Sequence, residues 1–455
     1  MRGTGGRIRI VVTVVAVGIA AAACQPGGAV SQATAPPVPV QTGVTETEPV
    51  TLTVWDQECC SQNKVWDQLN AEFQAKYPNV TIDRKNRDLG ELKTLLKLAI
   101  SGPNAPDVVE ANQGWPDMGG LVKAGLLLPL DNYAQAYGWR DDVSENVLAV
   151  SSWSPDGTQF GSGNLYGYTT MGEIIGVYYN KQKLDALGLS VPTTFDEFQN
   201  DLEAAKQAGE VPIQYADSDA FPGIHELGAV QGEMSSAAYM KDLVFGTQGT
   251  ALSFDTPENL QAATTLQDWA NKGYFTPGFG GAGYDSAVTD FAKGEGVFMI
   301  TGNWIVGDLG ADSTDFGFFV MPPMQAGGQP VAMGGAGYPL AITSKSEHPD
   351  VAAAYIDWMT SSHASDLLLQ TGQLPLRNDV DMSSVQPGTL LADVVGAAQT
   401  LSKSNGIVPY EDWATPTFYD TLTAAIQELT ANKLAPQEFV DRVQQDYSDF
   451  QSSRA

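Results

Sequence analysis

Two loops and one isolated carboxylate carry the side chains best suited to chemistry. Glu173 stands at the mouth of residues 174–179, a short apolar, β-branched and aromatic run. A carboxylate beside a buried run must be solvated, paired or hydrogen-bonded to a ligand. Asp56-Gln57-Glu58-Cys59-Cys60-Ser61-Gln62-Asn63 follows one alternating apolar segment, and Glu110-Ala111-Asn112-Gln113-Gly114-Trp115 follows another. Side-chain amides offer both donor and acceptor, which is what hydroxyl groups ask for. Trp115 either stacks on a ring or packs under Pro116. Two carboxylates, Glu173 with Asp56 or Glu110, would also suit a secreted glycoside hydrolase. That reading predicts turnover, whereas a binding protein predicts saturable capture without product.

Other catalytic devices are not legible. The chain has no Gly-x-Ser-x-Gly elbow, no His-Glu-x-x-His helix and no Walker A loop. His225, His348 and His363 are its 3 histidines, two of them on predicted surface elements, which disfavours a Ser-His-Asp or three-histidine metal site. The expectation is a protein that is not an enzyme, with no catalytic residue, no metal and no cofactor. Cys59 and Cys60 are adjacent. Neighbouring Cα atoms are about 3.8 Å apart, shorter than a disulfide usually spans. A bond between them would be strained, and in an oxidising compartment it would make a stiff apolar plate under a ligand ring. The alternatives are two reduced thiols or an intermolecular bond.

The elements that must position these groups alternate between strand and helix. Residues 51–55 and 80–82 read as strands, 64–77 as a helix between them, and 92–100 as an amphipathic helix stopped by Gly102. Residues 106–109 begin a third strand. Both polar loops therefore follow strands, in the crevice where open α/β sheets hold ligands. Residues 174–179 read as a buried strand of a parallel sheet. Asn180 caps the next helix, which closes at Gly188, and Thr194 with Glu197 forms a capping box for a second helix ending near Gly209. A strand resumes at 211–213. His225, Glu226 and Glu233 fall in a region of Gly, Pro and small residues that either rims a cleft or, as the favoured reading, is surface loop. A helix spans 255–272, another opens at Tyr284-Asp285-Ser286, and 296–300 is a buried strand leading to Thr301-Gly302-Asn303-Trp304.

Tyr178-Tyr179-Asn180-Lys181, Gly188-Leu189, Pro192 and Thr194-Phe195-Asp196-Glu197, opened by Thr169-Thr170 and Glu173, stand in a telling order. In that order they resemble the crossing segment of the family 1 extracellular solute-binding proteins of ABC importers, with Phe195 in place of the usual Trp. Residues 126–130 with Asp131, Gly302-Asn303-Trp304, Pro322-Pro323, Ser344-Lys345 and Gly372-Gln373-Leu374-Pro375 extend the similarity over roughly residues 50–450. The resemblance implies an α/β, two-lobed periplasmic-binding-protein type II fold with three hinge crossings, the third near Tyr410-Glu411-Asp412-Trp413. It further implies capture of a mono- or oligosaccharide for an ABC permease. An indole covers the apolar C–H face of a pyranose while amides and carboxylates take its hydroxyls. On this basis Trp304 stacks and Glu173 accepts hydroxyls. Asp56, Gln57, Cys59, Cys60, Gln62, Asn112, Gln113 and Trp115 form the first-lobe wall. Asn303, Gly335, Ala336, Tyr338, Arg377 and Trp413 are further expected contacts, with Trp413 a candidate aromatic lid. A solute sensor that docks on a receptor would share the fold.

The ends and the composition set the rest. Arg2, Arg7 and Arg9 precede the uncharged apolar run 10–23, the charge order of a secretory signal peptide. Ala21-Ala22-Ala23-Cys24 looks like a bacterial lipobox, with Ala21 where Leu is usual, so Cys24 is the expected lipidated residue; the alternative is plain cleavage after the alanines with Cys24 a spare thiol. Residues 24–49 lack aromatic side chains and read as a flexible tether. Residues 50–170 with 336–400 are expected to form lobe 1, and 171–335 with 401–455 lobe 2. Hydrophobic residues make up 43% and charged residues 17% of the chain, a globular balance. A net charge of −29 repels nucleic acid. The expected partners are a small-molecule sugar, ABC permease subunits and, through the lipid, the outer face of the cell membrane. A monomer is expected.

Overall fold

The computed structural model describes residues 40–58, 60–246, 252–377 and 379–454. The leader, Cys24 and most of the tether lie outside the described residues, as do Cys59 and the side chain of Cys60. In chain order the strands are β1 (Val50–Asp56), β2 (Val80–Asn86), β3 (Val108–Glu110), β4 (Ser152–Trp153), β5 (Asn164–Leu165), β6 (Met171–Asn180), β7 (Phe298–Gly302), β8 (Phe316–Phe319), β9 (Ala332–Ala336), β10 (Leu340–Ile342), β11 (Leu374–Pro375) and β12 (Ile407–Val408).

Two sheets organise them. The first has the order β10-β3-β1-β2, with β1 parallel to β2 and β3 and with β10 antiparallel to β3. In β1 the residues Val50, Leu52, Val54 and Asp56 point inward by strict alternation. The second follows β11-β6-β9-β12, with β7 and β8 also paired to β6. All partners of β6 run antiparallel to it, which corrects the expectation of a parallel-sheet strand. Gly176 is required there, because a Cβ would come within 2.2 Å of the Phe318 ring. Of residues 211–213, Ile213 alone forms isolated bridges, to Phe275 and Phe298, in place of the expected strand.

Helices enter as their caps dictate. Asp88 accepts from Glu91 N at 2.8 Å to start helix Leu89–Ser101, and Asn180 caps helix Lys181–Ala186. Thr194 Oγ1 accepts from Glu197 N, but the Glu197 carboxylate takes the Thr193 N–H at 2.7 Å, so the box closes one residue earlier than expected. Helix Pro222–Met234 is buried along most of its length, so His225, Glu226 and Glu233 lie on a core helix and not on a surface loop.

The chain passes between the sheets three times. It leaves the first near Tyr168, which bridges Leu340, and enters β6; it returns from β9 to β10. It crosses again after helix Ser362–Leu369, because β11 pairs with β6. Residues 410–413 make a 3-10 turn and lead into helix Phe418–Thr430, so the third crossing is not there. The segment 336–400 accordingly divides: β10 joins the first sheet, whereas β11 joins the second and helix Leu390–Ser404 packs on β8. Residues 43–48, expected in the tether, are tied to the first lobe. Gly43 N donates to the Tyr137 hydroxyl at 2.8 Å, and Asn79 Nδ2 donates to Glu46 O at 2.8 Å.

Candidate functional site

Because β1, β2 and β3 are parallel, the segments after them emerge at one edge of the first sheet. Gln57 and Glu58 after β1, Asp88 to Gly90 after β2, and Asn112 and Gln113 after β3 all line a cavity of about 620 Å³. From the crossings come Thr169, Thr170, Glu173, Gly337 and Tyr338. The second lobe supplies Phe221, His225, Tyr284, Trp304, Tyr410 and Trp413. The cavity is thus walled by both lobes and floored by the crossing strands.

Glu173 is 8% exposed, and its Oε2 accepts from the Tyr410 hydroxyl at 3.2 Å. Burial pushes it up to about 8, with the Glu58 charge adding, so it is a neutral acid near pH 7. A carboxylic acid both donates and accepts, and so meets a hydroxyl in either sense. Trp304 is half-buried. Its Nε1 donates to the Tyr284 hydroxyl at 2.7 Å, which is 2.8 Å from Thr301 Oγ1. Its ring lies over Gly302, where a Cβ would approach to 1.9 Å. The indole is therefore fixed by one polar tether and one missing side chain. The His225 ring sits 5.4 Å from it and 6.3 Å from Tyr410. Burial drives His225 down to about 3, leaving a neutral imidazole. Gln62 Nε2 donates to Trp304 O at 2.8 Å, a direct bond from the first lobe to the second.

The sequence-derived residues divide. Gln57, Gln62, Asn112, Gln113, Glu173, Trp304, Tyr338 and Trp413 line the cavity. Asp56 does not; it is fully buried and held by Arg84 Nη2 at 2.6 Å, Arg84 Nε at 2.7 Å and Asn86 at 2.8 Å. Trp115 packs edge-on against Trp153 and Phe450, each at 4.8 Å, and is a core residue. Asn303 is buried and bonds Ile174 N and Gly372 O, both at 2.8 Å, so it braces the crossing. Gly335 and Ala336 lie in β9 behind the wall, while Gly337 reaches it. Arg377 is spent on Asp142 at 2.6 Å and Asp379 at 2.8 Å. Cys59 and the Cys60 side chain lie outside the described residues.

Sequence reasoning missed Phe221, Tyr284 and Tyr410 as wall residues, and it set His225 at a cleft rim only as the less favoured reading. The available signal for His225 was Gly223, Gly228 and Gly232 on one helix, marking close packing rather than a loop. A Cβ at Gly228 would come within 2.3 Å of Met333. Among the described residues no helix is long and apolar enough to cross a membrane.

Residues 61–365 match the family model described as bacterial extracellular solute-binding protein. The multiple sugar-binding protein of Streptococcus mutans serotype c is 24% identical over 332 residues, covering 70% of this chain and 74% of that one. The maltotriose-binding protein of Pyrococcus abyssi is 23% identical over 343 residues, 72% and 67% of the two chains. Among solved structures, a chitin oligosaccharide binding protein superposes with a TM-score of 0.77 at 20% identity, covering 89% of this chain and 99% of that one. The raffinose complex of RafE does so with 0.70 at 19% identity, covering 88% and 99%. With two lobes, three crossings and a cleft between them, and with a family match over two thirds of its length, the chain belongs to the bacterial extracellular solute-binding proteins.

Proposed function

We propose that this protein captures a mono- or oligosaccharide outside the cell membrane and delivers it to the permease of an ABC importer. The observation that carries the reading is that Glu173, on the crossing strand, and the tethered Trp304 indole border one cavity between the lobes. A carboxyl for hydroxyls and an indole for the C–H face are the two surfaces a pyranose needs. The names of the relatives, sugar-binding in each case cited, support the class of ligand. Gln57, Gln62, Asn112, Gln113, Tyr338 and Trp413 are the accompanying contacts. Lipidation of Cys24 would hold the protein at the outer face of the membrane as a monomer; Cys24→Ser would then release it into the medium.

A thermal-shift screen over mono- and oligosaccharides tests the reading. A ligand at one hundred times its dissociation constant adds about 2.7 kcal/mol to the folded state. One sugar class should raise the melting temperature in wild type and lose most of that shift in Trp304→Ala. No shift with any sugar sinks the proposal, and a hydrolysed product in the same mixtures would favour the glycosidase reading.

A further inference from the structure

We propose that Glu110 is a positioning residue that holds Glu58 in the wall of the cleft through a proton shared between their two carboxyl groups. The proposal rests on this cleft being the capture site. Glu110 ends β3 and is 1% exposed. Its Oε2 accepts the Gln57 N–H at 2.8 Å. Its Oε1 is buried and receives no N–H or O–H from any described residue unless Glu58, whose carboxyl is its hydrogen-bond neighbour, carries one. Two carboxylates in contact, with no donor between them, cannot both be ionised at close range.

The Arg84 charge relieves the pair only in part, and burial with the neighbouring acids outweighs it. At the end of β1, Asp56 adds negative charge, and Arg84 on β2 is committed to Asp56 at 2.6 Å and Asp67 at 2.8 Å. Glu173 on β6 faces Glu58 as a further acid, and Tyr355 on helix Pro349–Met359 lies near Glu110. The Tyr338 hydroxyl is engaged with Gln57. Lys93, Lys97 and Asp117 line a smaller cavity of about 100 Å³ that Glu110 also borders, but Lys93 is paired with Asp117 at 2.5 Å and Lys97 is exposed. Burial, with the neighbouring acids, raises Glu110 well above the usual range, and burial pushes Glu58 up to about 7. These values belong to the pair jointly.

The shared proton gives Glu58, and through the Gln57 amide the whole strand end, a fixed place facing the ligand. When the pair loses it, the two charges repel and Glu58 leaves the wall. A capture step that needs one proton weakens by about tenfold per pH unit above the titration.

Infrared titration of the full chain between pH 5 and 9, in wild type, Glu110→Gln and Glu58→Gln, tests the first half without any ligand. The difference spectrum of wild type minus each variant, in which Glu173 and the other buried acids cancel, should contain a protonated-carboxyl band that is lost around neutral pH, because a glutamine donates to the remaining carboxylate without a titrating proton. No protonated-carboxyl band in either difference spectrum at pH 6 overturns the proposal. The affinity for the sugar found by thermal shift tests the second half: between pH 6 and 7.5, below the titration of Glu173, it should fall in wild type and stay nearly flat in Glu110→Gln. Equal slopes overturn the positioning role. If no saccharide binds any of the three proteins, the carbohydrate reading and the positioning role fall together, whereas a loss of pH dependence in neither variant sinks the positioning role alone. Should Glu110→Gln fail to fold, Glu58→Gln, in a half-buried loop position, carries both measurements.

Discussion

At the scale of single residues the cleft wall holds two acids, Glu58 and Glu173, that burial pushes above the usual carboxylate range. Glu173 is the clearest, since burial raises it to about 8. The sign of the consequence follows from linkage. A group raised in the folded state contributes stability that is fully present below its unfolded value, near 4.5, and is lost as pH rises through about 8. Glu173→Gln keeps the shape and the acceptor for the Tyr410 hydroxyl but cannot ionise. The variant should therefore come close to wild type in urea unfolding at pH 5 and exceed it at pH 9 by on the order of 4 kcal/mol. If the difference between the two proteins is the same at both pH values, Glu173 is solvated well enough to ionise freely.

At the scale of elements, the sequence was legible wherever a pattern reports burial and opaque wherever pairing decides. The alternation of β1, the Thr194 cap and the glycine stops all lie in local chemistry, and the elements they predict appear within a few residues of expectation. β6 is buried along nearly its whole length, as a parallel-sheet strand would be, yet β7, β8 and β9 all cover it antiparallel. Burial is written in the residues; the direction of a neighbour more than a hundred positions away is not. The site divides in the same way. Asn303 and Trp304 are adjacent and both read as contacts, but one faces the cleft and the other binds backbone. Asn303 Oδ1 accepts from Ile174 N, and its Nδ2 donates to Gly372 O and Gly172 O. Asn303→Ala would strand a buried N–H and two carbonyls, each costing about 1–3 kcal/mol if unmet. The expected loss is on the order of 3 kcal/mol in denaturant unfolding, with no titration signature. A loss below about 0.5 kcal/mol, the level of an ordinary surface change, would mean the crossing is braced by something else.

At the scale of the whole molecule, function depends on how closely the lobes meet, and one of the contacts between them is open to a single substitution. Helix Val306–Leu309 of the second lobe lies against the start of helix Cys60–Lys76 of the first, on the same side as the Gln62 bond to Trp304 O. Gly307 has no side chain there for a reason: a Cβ would come within 2.0 Å of Ser61 Oγ and 3.2 Å of Thr371 O. Gly307→Ala puts a wedge into the joint while favouring its helix locally, so its cost falls on the closed arrangement rather than on folding. A ligand that touches both lobes draws its affinity from the closed state and must offset that cost. Overpacking a fitted contact costs about 1–3 kcal/mol, so Gly307→Ala should weaken sugar binding by roughly 5- to 150-fold. It should also leave the ligand-bound protein with a larger radius of gyration in small-angle scattering. Ser61→Gly in the same chain removes the atoms that the new methyl strikes and should restore most of the affinity. If the single variant binds as tightly as wild type, the two helices do not meet when the cleft is occupied. If the double variant fails to recover, the wedge acts on the Thr371 carbonyl and the third crossing, and not on the joint between the lobes.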